Sequence, residues 1–150
     1  MSAIETVRQC MQAIEKGDYK EAEKFLTEDF TFTGAVPQPI GRSEWLDLHK
    51  SLADAIPNFM FNATGFHEEN NKVIFDVHLT GTHSRELKIS QLNVGPVTAT
   101  NKSISLPNER VEATFENGKI SQLNVERVSG GGLKGLLGQI GVVFKEPAYA

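Results

Sequence analysis

The order of the hydrophobic patterns constrains the fold of this chain most, because helical spacing ends at Pro57 and strand-like alternation follows it. Before that proline, Ser2 and Glu5 form a capping box that predicts the start of a first helix. A later helix carries one continuous apolar stripe from Trp45 to Ile56. The first third of the chain is therefore predicted to supply amphipathic helices, which need an apolar surface to pack against.

Short strands are predicted along the chain, mainly after Pro57. They are predicted over residues 30–33, 59–67, 72–83, 97–106, 109–116 and 119–128. Asn117-Gly118, between two of these segments, is a signal for a tight hairpin turn. Helices followed by antiparallel strands predict an α+β fold, in which a curved antiparallel sheet and the N-terminal helices cover each other. A cavity between two such layers is a common ligand site.

A chain of 150 residues is expected to form one domain. The patterned part ends near residue 128, where Gly130-Gly131-Gly132 interrupts the chain. We expect a single α+β domain over residues 1–128 and a glycine-rich segment over residues 129–150. That segment either covers the domain permanently or acts as a lid that is hinged at the glycines.

Composition and motifs disfavour several partners. The net charge is -4 and no run of Lys or Arg occurs, which disfavours nucleic acid and anionic membrane surfaces. Cys10 is the single cysteine and no secretion signal is visible, so a cytoplasmic location is expected. No Cys and His cluster, phosphate-cradling loop or dinucleotide motif is present, so neither a metal nor a cofactor is expected.

Strand alternation selects two ionisable residues for the covered face of the sheet. Gly81-Thr82-His83 ends the long strand, and His83 has the same parity as the apolar residues before it. Glu109 has the same parity as the apolar residues of the next hairpin. Burial would bring both groups toward neutrality, which suits proton transfer. The alternatives are a histidine that is hydrogen-bonded to a loop and a carboxylate that is paired at the rim. His49, on the third helix, is expected to be exposed.

The chain also contains aromatic residues that could line an apolar pocket. The candidates are Tyr19, Trp45, Phe59, Phe61, Phe75 and Phe115. Such side chains suit a flat, apolar ligand, and they suit a solid core equally well. Tyr19 could in addition donate its hydroxyl to a ligand.

Several short motifs, in their order and spacing, resemble one known family. They lie at residues 41–42, 55–59, 79–84, 96–102, 118–120 and 137–141. Over nearly its whole length the chain resembles the polyketide-cyclase-like (SnoaL-like) branch of the nuclear-transport-factor-2-like superfamily. The resemblance implies a cone-shaped α+β domain, and a homodimer in which two sheets pack back to back.

The resemblance also implies a carboxylate and a histidine that promote an intramolecular aldol closure. Many relatives carry Trp and then Asp after the Gly-Lys-Ile motif, whereas this chain has neither there, and Glu126 is the candidate replacement. The predicted function is a small-molecule pocket, used by a cofactor-free cyclase or isomerase for a polyketide-like or other apolar carbonyl compound. The alternatives are a non-catalytic binding module and a dimeric interaction domain whose cone is filled by side chains.

Overall fold

Helices occupy the N-terminal part of the chain in the computed structural model, which describes residues 1–143. They are α1 (Ala3–Glu15), α2 (Tyr19–Lys24) and α3 (Arg42–Ala55). The Ser2 hydroxyl accepts a hydrogen bond from the Glu5 N–H at 3.1 Å, as the capping box predicts. The Glu44 carboxylate accepts from the Gly41 N–H at 3.0 Å and fixes the start of α3.

Short strands make up most of the remaining described chain. They are β1 (Leu26–Thr33), β2 (Ile40–Gly41), β3 (Thr64–Glu69), β4 (Lys72–Val77), β5 (Thr80–Thr82), β6 (Leu87–Ile89), β7 (Val94–Val97), β8 (Ser103–Ser105), β9 (Glu109–Glu116) and β10 (Lys119–Val125). Within the described residues, six of them form the main sheet, in the order β2-β1-β10-β9-β4-β3. Strands β5 and β8 pair separately, as do β6 and β7. The predicted α+β class is confirmed.

The main sheet is antiparallel at every junction except one. Strand β1 runs parallel to β10, with Phe32 opposite Leu123. Hairpin turns impose antiparallel pairing only on strands that are neighbours in sequence. The strands β1 and β10 are joined by most of the chain, so no turn fixes their relative direction.

The long strand predicted over residues 72–83 is interrupted. Strand β4 ends at Val77, and the His78 N–H donates to the Phe61 carbonyl at 2.8 Å. Strand β5 then pairs with β8, with Gly81 opposite Ile104. The apolar alternation of Val73, Phe75, Val77 and Leu79 continues through this point, so the sequence does not show where the chain changes its partner.

The core lies between the inner face of the main sheet and the helices. Val73, Phe75 and Val77 alternate on one side of β4 and are buried. On α1 and α3 the buried residues follow the predicted helical stripes. None of the helices within residues 1–143 is long and apolar enough to cross a membrane.

A last helix, α4 (Gly132–Gln139), lies in the glycine-rich segment. Its three buried leucines are Leu133, Leu136 and Leu137. The Gln139 side-chain amide exchanges two hydrogen bonds with the backbone of Ser105, at 2.8 and 2.9 Å. These contacts attach α4 to the domain, and residues 144–150 of the predicted segment lie outside the described residues.

Candidate active site

A cavity of about 70 Å³ lies between α3, α4 and the inner face of the main sheet. Apolar side chains form most of its wall. Polar or aromatic residues of the wall include Trp45, His49, Phe59, Phe61 and Glu109. Leu133 and Leu136 of α4 close one side of it.

Glu109 is the carboxylate of this cavity. It is the first residue of β9, its side chain faces inward, and the residue is 2% exposed. One carboxylate oxygen, Oε2, accepts a hydrogen bond from the Gly132 N–H at 3.0 Å. The other oxygen, Oε1, is buried and has no hydrogen-bond partner within residues 1–143. Burial raises the pKa of Glu109, and the hydrogen bond from Gly132 opposes that rise in part.

His49 is the imidazole of the same cavity, and the sequence-based expectation that it is exposed is wrong. It lies one helical turn after Trp45 on α3 and is only 7% exposed. The spacing of Trp45, Leu48, His49 and Leu52 is the usual i, i+3, i+4, i+7 of a buried helix face. That spacing is the signal by which His49 could have been found.

Aromatic rings enclose His49. Its ring centroid lies 4.8 Å from that of Trp45, 5.8 Å from that of Phe59 and 5.4 Å from that of Phe61. Neither ring nitrogen has a hydrogen bond to another described residue. Burial lowers the pKa of His49 to about 4, so the imidazole is neutral at neutral pH and can offer one N–H donor.

Trp45 also brings an unpartnered donor to the cavity wall. Its indole packs against the rings of Phe30 and Phe32, with centroids 5.4 and 5.8 Å away. Its Nε1 atom is buried without a hydrogen-bond partner among the described residues. Buried polar groups are normally paired, so the unpartnered Trp45 Nε1 and Glu109 Oε1 atoms at one small cavity indicate a site that a polar ligand could complete.

His83 and Glu109 are not brought together at this cavity. His83 follows β5, is 0% exposed, and does not belong to the described cavity wall. Its Nδ1 atom accepts a hydrogen bond from the Thr100 N–H at 3.2 Å, which places the ring proton on Nε2. That Nε2 atom has no partner within residues 1–143. Burial lowers the pKa of His83, and the Arg85 backbone acts weakly in the opposite direction.

The other predicted site residues divide into two groups. Trp45, Phe59 and Phe61 line the cavity as predicted. The described cavity wall does not include Glu126, Tyr19, Phe75 or Phe115.

Each residue of the second group has a different environment. Glu126 is exposed beyond the end of β10. Tyr19 is half-buried at the start of α2, and burial raises its pKa, with a smaller contribution from the Asp54 charge. Phe75 stacks on Phe66 at a centroid distance of 4.8 Å. Phe115 is half-buried near the other end of β9. Among residues 1–143 no cluster of three metal-ligating side chains is found.

Residues 4–123 match the family described as SnoaL-like polyketide cyclase. No curated protein matches the sequence.

Similar folds occur among solved structures. One is IdmH from Streptomyces antibioticus, with 15% identity and a TM-score of 0.71, covering 95% of this chain and 100% of that one. Another is a SnoaL-like polyketide cyclase from Agrobacterium tumefaciens, with 14% identity and a TM-score of 0.64, covering 83% of this chain and 90% of that one. A nuclear-transport-factor-2-like protein from Cytophaga hutchinsonii has 18% identity and a TM-score of 0.57, covering 83% of this chain and 88% of that one. These identities are low, and the likeness shows the fold alone.

Proposed function

The chain belongs to the SnoaL-like polyketide cyclase family, and from that premise we propose that it is a cofactor-free acid/base enzyme for an apolar carbonyl compound. Glu109 transfers the proton, and the neutral imidazole of His49 polarises the carbonyl oxygen. The reaction is a cyclisation or an isomerisation within one molecule. The assignment differs from the sequence-based one, because His49 takes the place of His83.

The chemistry follows from the protonation states of the two groups. The Glu109 carboxylate removes a proton from the carbon beside the carbonyl, and the enolate oxygen accepts a hydrogen bond from the His49 N–H. In a cyclisation the enolate carbon attacks a second carbonyl, and the new alkoxide takes the proton back from Glu109. In an isomerisation Glu109 returns the proton to a different carbon. Each route restores the enzyme and needs no external reactant.

One observation carries this proposal: the Oε1 atom of Glu109 is buried at an apolar cavity and has no partner among the described residues. An unpaired carboxylate oxygen in such a place destabilises the fold. Burial raises the pKa of Glu109, so that this pKa lies closer to neutral pH than the pKa of an exposed carboxylate. A carboxylate whose pKa is raised by burial and whose second oxygen has no partner is typical of a site for proton transfer.

A second candidate function is supported by the size of the cavity. Its volume of about 70 Å³ is well below the roughly 300–1,000 Å³ that is usual for ligand sites. A small volume favours an interaction domain whose interior is largely filled by its own side chains. The enzymatic proposal therefore requires that the cavity enlarges when a substrate enters.

The direct test is proton abstraction, measured by NMR as deuterium exchange beside the carbonyl of ketones, lactones and polyketide-like diketones in D₂O. We expect Glu109→Gln to lower the exchange rate by about 10²- to 10⁴-fold. The matched control is Glu112→Gln on the same strand. The Glu112 carboxylate lies on the outer sheet face, 3.7 Å from Lys72, and we expect an unchanged rate.

The folding of these variants is checked by thermal unfolding at neutral pH. Glutamine keeps an oxygen that can accept the Gly132 N–H and avoids burying a charge, so Glu109→Gln is expected to be at least as stable as the original chain. Exchange that survives Glu109→Gln would overturn the proposal. Exchange that is lost in His83→Ala but retained in His49→Phe would return the histidine role to His83.

A further inference from the structure

A second open space adjoins the cavity at Glu109. It is a crevice of about 620 Å³ on the outer side of α4. Ala35, Glu109 and Gly132 line both spaces. The Glu109 carboxylate therefore stands at the boundary between an apolar chamber inside and a wider crevice outside.

The partition between the two spaces is the first turn of α4. It is attached to the domain by two backbone donors: the Gly132 N–H to Glu109 Oε2 at 3.0 Å and the Leu133 N–H to the Ala35 carbonyl at 2.8 Å. Gly130 and Gly132 flank its start with φ of 80° and 67°, a conformation that glycine adopts without strain. A local change at this turn would join the two spaces without unfolding the sheet.

The crevice differs from the chamber in its charge. Two cationic side chains, Arg127 and Lys134, line it, and Glu109 is the acidic residue in its described wall. The Arg127 guanidinium donates to the Val36 carbonyl at 3.2 Å, which holds its position. Lys134 is exposed on α4. The outer end of the combined space thus favours an anionic group, and the inner end favours an apolar one.

We propose that the chamber and the crevice are two halves of one ligand site, and that its ligand is an amphipathic organic anion. The apolar ring system lies in the chamber beside His49, and a carboxylate or sulfonate lies in the crevice near Lys134. This deepens the proposed function and rests on it for the role of Glu109, which meets the ligand where the two halves join. The joined space falls in the usual size range of ligand sites, about 300–1,000 Å³.

The test compares two fluorescent probes on the full chain at low salt. Anilinonaphthalene sulfonate is apolar with one anionic group, and phenylnaphthylamine has the same ring system without it. Binding is followed by probe fluorescence and by quenching of Trp45, the single tryptophan. We expect Lys134→Glu to weaken sulfonate binding by about five-fold or more and to leave the neutral probe unchanged.

The matched control is Lys119→Glu. Lys119 is also exposed and begins β10 outside the crevice lining, so this change alters the net charge equally. We expect it to leave both probes unchanged. Equal effects of the two charge reversals, equal affinity for the two probes, or no binding of either probe would overturn the two-part site.

The result is separable from the fate of the enzymatic proposal. Charge-selective binding without any deuterium exchange would retain the two-part site and remove the catalytic role. If deuterium exchange depends on Glu109, occurs with neutral ketones and is unchanged by Lys134→Glu, the catalytic role of Glu109 is retained and the anionic subsite is overturned. A cooperative thermal transition in each variant shows that the probes report a folded chain and not an expanded state.

Discussion

At the scale of single residues, His49 is the feature with the clearest energetic consequence. Its imidazole is enclosed by Trp45, Phe59 and Phe61 and has no hydrogen bond to another described residue. The charged ring would lose most of its hydration there, so the folded protein holds His49 neutral. Unfolding releases this restraint, because an exposed histidine takes up a proton readily.

This difference predicts a loss of stability in acid. The pKa of His49 is about 4 in the folded chain, against 6.5 for an ordinary histidine. The unfolded chain therefore binds more protons between these values, and the stability that is present above pH 6.5 is lost as the pH falls toward 4. We expect about 3 kcal/mol from this residue. Urea unfolding from pH 7.5 to pH 4 measures it, and His49→Gln should flatten the curve.

The control for this experiment is His67→Gln. His67 is an exposed residue of β3, so its replacement should leave the acid slope in place. The lowered pKa of His83 also makes the stability fall in acid, but it does so equally in all three proteins, so this contribution cancels in the comparison. Equal slopes in His49→Gln and in the original chain would show that His49 is hydrated in the folded state.

The same residues show what could be predicted from the sequence. The position of Glu109 on the covered face followed from two-residue alternation along an uninterrupted strand. His49 could have been placed by its spacing from Trp45, but a histidine beside an apolar stripe suits either face of a helix. The burial of His83 was predicted, and the residue is 0% exposed, but its separation from the cavity was not predicted, because the chain changes partner after Val77.

At the scale of elements, α4 depends on close packing of glycine against glycine. A Cβ atom added to Gly135 would collide with the Gly130 carbonyl oxygen. A Cβ atom added to Gly138, one turn later, would meet no atom within 4 Å. The two positions lie in the same helix and differ only in their surroundings, so they form a matched pair.

We predict opposite effects of alanine at the two positions. Gly138→Ala should stabilise the protein by about 0.5–1 kcal/mol, because alanine has the higher helix propensity. Gly135→Ala gains the same propensity but must displace the turn at Gly130, so it should lower the free energy of unfolding. Denaturant unfolding and hydrogen exchange at the amides of α4 measure both effects. A stabilising Gly135→Ala would show that the Gly130 turn moves freely.

Element boundaries were predictable where turn chemistry and alternation agree. The strand predicted over residues 109–116 is β9, and the Asn117-Gly118 turn joins it to β10. The strand predicted over residues 97–106 is not continuous: Val97 is the last residue of β7, Ser103–Ser105 form β8, and residues 98–102 are not strand. Strand β7 pairs with β6, its neighbour in sequence, whereas β8 pairs with β5, which is not its neighbour and which no local signal identifies.

At the scale of the whole molecule, the outer face of the main sheet lies opposite the helices. One cross-strand row on it runs through Thr33, Asn124, Glu112 and Ile74. The Thr33 hydroxyl and the Asn124 amide oxygen lie 2.6 Å apart. Ile74 belongs to this face and is nevertheless only 5% exposed. This face therefore combines polar side chains with a buried isoleucine, and a second sheet could lie on it.

We predict that two copies of the chain associate through this face. Gln122 lies at its centre, between Thr31 and Thr114 on the neighbouring strands, and is half-buried. Gln122→Arg would place a charged, bulky side chain in a packed interface, where an unpaired charge destabilises association strongly. We expect its dimer dissociation constant to rise at least about ten-fold, measured by sedimentation over a concentration series.

Gln12→Arg makes the same chemical change at an exposed position of α1, away from the sheet. It should leave the dissociation constant unchanged, because the added charge stays in water. If the original chain sediments as a monomer at every concentration, or if Gln122→Arg remains as dimeric as Gln12→Arg, the outer face is a solvated surface. The unpaired groups of the cavity would then belong to a site that one copy of the chain completes by itself.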